Sequence, residues 1–174
     1  MPMTDKPAIR GLTWETVCAE FEFDGSWRDI YVFETTHVDW TRLLRWLGQS
    51  AYPVTYTQGG EQVELPLEAA EAFPLAGQCD RLLSVNVAGA VLNAHFFDES
   101  EIEFDLDPRE ITSQHELDGL LGFLRGLANI VGKDAVMTPE NCPRGVIFRA
   151  RPGDAASEYT RPTGAGESPE SSRG

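Results

Sequence analysis

Hydrophobic and polar positions change period several times along this chain, and each change marks an element. Val17, Ala19, Phe21 and Phe23 alternate with Cys18, Glu20 and Glu22, the two-residue period of a strand with one buried face. Asp24-Gly25-Ser26 reads as a turn and the aromatic, β-branched run 27–33 as a returning strand, so a hairpin is expected over 17–33. Trp40, Leu43, Leu44 and Leu47 recur at helical spacing, behind Thr36 as N-cap with Asp39 in the first turn, and Gly48 is expected to stop the helix.

Two short runs, 54–57 and 62–65, flank Gln58-Gly59-Gly60-Glu61 and predict a second hairpin. Pro66 opens a brief helical stretch that Pro74 ends. Runs 82–87, 90–97 and 101–106, joined by Ala88-Gly89 and Asp98-Glu99-Ser100, predict an antiparallel meander. Ser113 and Glu116 fit a capping box. Behind them Leu117, Leu120, Leu121, Leu124, Leu127, Ala128 and Val131 form one helical stripe that Gly132 stops. Gly119, Gly122 and Gly126 interrupt that helix, either as tolerated surface positions or because a neighbour approaches closely. Short strands are expected over 135–138 and 146–149. Strands grouped between two amphipathic helices give an α+β fold, a mainly antiparallel sheet with both helices on one face and the other face open to water.

Residues 151–174 are rich in Pro, Gly, Ser and charge, which predicts a disordered tail. Residues 1–12 read as a loose arm, leaving one domain over 13–150. The chain carries 14 Lys+Arg against 28 Asp+Glu, a formal charge of −14. The tail holds only Arg151, Arg161 and Arg173 against Asp154, Glu158, Glu167 and Glu170, so nearly all the acidity belongs to the folded part. Such a field repels phosphate backbones and anionic lipid, so neither nucleic acid nor a membrane is expected as a partner; basic proteins or cations are. Three cysteines, an odd number, and a first stretch without an apolar core read as a cytoplasmic protein with reduced thiols.

The acidity is most concentrated at 98–110, where seven carboxylates meet one arginine, Arg109. In strand register Ile102, Phe104 and Leu106 face inward, while Glu101, Glu103, Asp105 and Asp107 form an outward ladder about 20 Å long. Like charges so placed repel. The ladder is therefore either a solvated face with cationic cross-strand partners, a docking surface for a basic protein, or a divalent-cation site, the last without EF-hand spacing. Trp46 lies off the helical stripe and is a candidate exposed anchor. His95 with Asp98 or another nearby carboxylate is the candidate acid–base pair, although strand register sends 95 and 98 to opposite faces. No metal, phosphate-loop, dinucleotide or nucleophile-elbow motif is present, and no cofactor is expected.

The helix from Leu120 to Ala128 and the following Gly132-Lys-Asp-Ala-Val-Met-Thr-Pro-Glu-Asn141 resemble the C-terminal end of small uncharacterised bacterial proteins, some of which act as immunity factors for secreted toxins. The resemblance implies a bacterial interaction protein and transfers no residue role. Three readings result: an acidic protein-binding module that neutralises a basic toxin or binds another basic partner, an enzyme of unrecognised type using His95 with nearby carboxylates, and a homo-oligomeric structural or regulatory domain, such as a homodimer pairing through 82–97.

Overall fold

A computed structural model describes residues 11–73 and 78–160. Among the described residues nine strands form one antiparallel sheet: β1 (Arg28–Phe33), β2 (Val54–Gln58), β3 (Glu61–Val63), β4 (Arg81–Val87), β5 (Ala90–His95), β6 (Glu101–Leu106), β7 (Ala135–Pro139), β8 (Phe148–Ala150) and β9 (Glu158–Tyr159). Their order across the sheet is β3-β2-β4-β5-β6-β1-β7-β8-β9. The helices are α1 (Trp14–Val17), α2 (His37–Gln49), α3 (Ala69–Ala72) and α4 (Gln114–Val131). The α+β expectation, with the two long helices on one face, is what the structure shows.

The two-residue period decides which face is dry. Leu83, Val85, Leu92, Ala94, Ile102 and Phe104 are buried toward the helices. Ile30 and Val32 lie opposite Phe104 and Ile102 and share that face. Phe123 of α4 meets Phe104 edge-on with ring centroids 5.4 Å apart. Trp40 of α2 packs against Phe73 and Phe96, each at 5.1 Å, and its indole N–H donates to the Glu99 carbonyl. The Thr36 N–H donates to the Asp39 carboxylate at 3.0 Å, the return half of a capping box. Burial opposes ionisation of Asp39, but the Lys133 ammonium at 2.6 Å and the Thr36 donors outweigh it and hold its carboxyl below the usual range. At the far end of α4, Gly132 closes the helix in the left-handed region at φ 74°.

Several expectations need correction. Residues 14–21 are helical rather than a strand: α1 runs into a 3₁₀ turn, Cys18–Phe21. Val17 and Phe21 are both buried while Ala19 is exposed, so the apolar pair serves the i, i+4 face of a helix instead of alternate strand positions. Buried Arg28 ties this segment down, donating through Nε to the Glu20 carbonyl at 2.9 Å and through Nη2 to the Glu22 carbonyl at 3.2 Å. Helix α2 runs through Gly48 and caps at Ser50. The ordered chain also continues past 150: β9 pairs with β8, so residues 151–160 do not belong to a disordered tail. Residues 1–10 and 161–174, which hold most of the arm and the rest of the tail, lie outside the described residues.

The helix glycines divide by environment. A Cβ on Gly119 would lie 2.5 Å from the Ala88 Cβ, and one on Gly126 would lie 2.7 Å from the Trp46 ring, whereas one on Gly122 would meet nothing within 4 Å. Close approach therefore explains two of the three. Strands β4 and β5 lie inside the sheet, β4 between β2 and β5, and β5 paired with β6 at Asn93 and Ala94.

Candidate functional site

The face away from the helices is open over β4, β5 and β6, where the other half of each alternation is half-exposed. It is not open over β1 and β7, where Asp29, Tyr31, Val136 and Thr138 are buried, so the expected water-facing side is only part of the sheet. On β6 the outward residues are Glu101, Glu103 and Asp105, all half-buried, with Ile102, Phe104 and Leu106 beneath. Register sets Glu101 opposite Phe33, Glu103 opposite Tyr31 and Asp105 opposite Asp29. On the other side of β6, Asn93 pairs with Asp105. The expected carboxylate row thus stands without a cationic cross-strand partner: among the described residues no Lys or Arg pairs with Glu101, Glu103 or Asp105.

Asp107 is a correction. It sits past the end of β6, caps the 3₁₀ turn Pro108–Glu110 and accepts three bonds from the Arg109 guanidinium, the shortest at 2.7 Å. These bonds hold its carboxyl below the usual range, and Arg109 is further placed over the Phe23 ring at 4.1 Å. Trp46 is a second correction. It packs on the helical side against Tyr52 and Phe123, with ring centroids 5.9 and 5.6 Å away, where it cannot anchor a partner on the acidic face.

Sequence reasoning missed Asp29, which lies in the run Trp-Arg-Asp-Ile-Tyr-Val-Phe and is only 3% exposed. A carboxylate in an otherwise aromatic and β-branched strand was the available signal; what it faces depends on register that one strand does not reveal. Its Oδ2 accepts from the Tyr31 hydroxyl at 2.9 Å and from the Asn141 N–H at 2.8 Å. The same Tyr31 hydroxyl lies 3.2 Å from Glu103 Oε1, linking the two carboxylates through one donor.

Around this floor is a cavity of about 420 Å³, lined by Asp29, Glu103 and Asp105 together with Trp27, Asn93, His95, Phe97, Glu140 and Asn141. Trp27 is 36% exposed and Phe97 80% exposed. His95 and Phe97, both lining the cavity, stack with centroids 5.1 Å apart and planes 3° from parallel. The loop that carries Asn141 is fastened to β1 by the Trp27 N–H, which donates to Glu140 Oε2 at 3.0 Å, and by the Glu140 N–H, which donates to the Trp27 carbonyl at 3.1 Å.

Burial pushes the carboxyls of Asp29, Glu103 and Asp105 above their ordinary range, and neighbouring negative charges push them the same way. The Asn141 N–H and Tyr31 hydroxyl partly offset this at Asp29, as His95 and Asn93 do at Asp105. Burial likewise raises the Tyr31 phenol, so it stays a neutral donor. Asp105 Oδ1 is shielded from solvent and meets no donor among the described residues.

His95 belongs to this cavity, with Nε2 3.9 Å from Asp105 Oδ2, and not to a pair with Asp98, which accepts from Ser100 in the turn. His37 pairs with Glu99 and stacks on Phe73. Among the described residues no group of three or more His, Cys, Asp or Glu side chains is arranged to hold a metal ion, and no helix is long and apolar enough to cross a membrane. A scan against protein-family models and searches of curated proteins and of solved structures returned no match for this chain.

Proposed function

We propose that this protein is a binding module whose open, acidic sheet face docks a basic protein, with toxin neutralisation as the specific form that the resemblance of the 120–141 segment implies. The observation that carries the reading is the half-exposed row Glu101, Glu103 and Asp105 on one face of the sheet, which no Lys or Arg among the described residues pairs with, and which has Asp29 buried opposite Asp105. Evolvable alternatives such as Gln, Asn or Thr would fit the same positions without mutual repulsion. Exposed Trp27, Phe33 and Phe97 stand beside these acids and supply apolar contact area, replacing Trp46 in that role. Charge of one sign on the face speeds encounter with a basic partner and disfavours self-association.

The test is affinity capture run in parallel with the wild-type chain and with Glu101→Gln/Glu103→Gln/Asp105→Asn. Support is a basic protein held by the wild type, released by salt and absent from the variant. The same proteins retained on both would overturn the reading.

A second reading rests on one observation, the placement of His95 beside Asp105 in the cavity. As an acid–base pair these residues would serve an enzyme. His95→Gln separates the two, because docking through carboxylates survives the substitution and acid–base chemistry does not.

A further inference from the structure

Resting on the docking reading, we propose that the cavity receives the guanidinium group of a single arginine side chain projecting from the basic partner. Four features of the cavity converge on that group. Its floor offers carboxylates from two neighbouring strands, with Asp29 and Asp105 directly opposite and Glu103 alongside. A planar fork of N–H donors can reach acceptors on both strands at once, where an ammonium would act as a point charge. The Asp105 side chain stays 30% exposed, so it can accept an incoming N–H that its shielded Oδ1 alone could not.

The walls are flat. Trp27 stands on one strand end, and the His95–Phe97 pair presents near-parallel rings. Such faces suit stacking of a guanidinium and contact with its methylene stem. Among the described residues no cation occupies the role: Asp29 and Glu103 have no Lys or Arg ion-pair partner and Asp105 has only His95 at 3.9 Å. The cavity lies within the same face as Glu101 and Phe33, so an arginine seated there would leave the rest of a partner against the remaining acids and exposed aromatics. Its buried position gives it the character of an interface anchor, while the rim charges govern encounter rate.

The experiment is an NMR titration of the full chain with N-acetyl-arginine methylamide, with the uncharged citrulline analogue as control. Saturable shifts are expected at the Trp27 indole N–H, the Asn141 amide and the His95 ring, with millimolar affinity fitting so small a probe. The citrulline analogue should bind about tenfold more weakly or worse, because it lacks the charge-assisted bonds. Asp105→Asn and Asp29→Asn should each abolish the shifts while the remaining spectrum stays folded. Absence of saturation at tens of millimolar, equal binding of citrulline, or undiminished binding by both folded variants would overturn the proposal. The two ideas fail separately. Variant-sensitive capture of a basic protein without arginine binding removes the pocket and leaves the docking face. Arginine binding without variant-sensitive capture retains the pocket and removes the docking face.

Discussion

Replacing Asp105 by Asn should make the protein more stable at pH 8, although the substitution removes a charged group from the proposed interface. Asp29 and Asp105 are direct cross-strand partners, a relation that sets Cβ atoms about 5 Å apart. Two unit charges roughly 5.5 Å apart at an effective dielectric of about 20 repel by about 3 kcal/mol. Water on the open side, the His95 attraction and the nearby Asn93 amide offset part of this, leaving an expected gain of about 1–2 kcal/mol. That corresponds to a Tm rise of about 3–6 °C for a chain of this size.

The sign follows from linkage. Both carboxyls titrate above their ordinary range in the folded state, so between the two pKa values the folded protein binds more protons than the unfolded one. Stability therefore falls as pH rises through that window, and the repulsion is complete above the folded-state pKa. The benefit of Asp105→Asn should be largest at pH 8 and shrink as pH falls through that window and the wild-type acid takes up its proton. Urea titrations of both proteins at several pH values measure it. A variant that is less stable at pH 8, or a gain that does not change with pH, would refute the reasoning.

Gly122→Ala should stabilise the chain by about 0.5–1 kcal/mol through helix propensity, whereas Gly119→Ala and Gly126→Ala should cost about 1–3 kcal/mol from overlap with Ala88 and Trp46; urea midpoints distinguish them. Trp46→Ala should cost about 3 kcal/mol or more because it leaves a hole beside Tyr52 and Phe123, yet capture of a basic protein under conditions where the variant is folded should be unchanged. Lys133→Met should lose stability above pH 5, because it leaves the buried Asp39 charge without its ammonium, and the loss should shrink as pH falls and Asp39 is protonated; denaturant titrations across that range check it.

The helices and the meander were legible because each repeats its own signal. The stripe from Leu117 to Val131 and the alternation around Ile102, Phe104 and Leu106 both extend over enough residues to define a face. The segment 14–21 was not, since Val17 and Phe21 suit a strand and a helix equally until Arg28 captures the Glu20 and Glu22 carbonyls from a distance. The acidic row on β6 was readable within one strand. The pocket was not readable, because it depends on β1 lying beside β6 in a register that places Asp29 opposite Asp105. It also depends on a loop that delivers the Asn141 N–H from 112 positions away. Asp107 was misassigned because alternation continues past Leu106 in sequence, whereas the backbone turns there into the 3₁₀ segment Pro108–Glu110 that Asp107 caps.

The most direct measurement of the docking claim is the salt dependence of affinity between the wild-type chain and a captured basic protein, repeated with Glu101→Gln/Glu103→Gln/Asp105→Asn. Exposed charges attract less as the Debye length shortens from about 10 Å at 0.1 M salt to about 3 Å at 1 M. The account expects affinity to fall steeply with salt for the wild type and a weaker, flatter dependence for the variant. Parallel curves of equal affinity would contradict it.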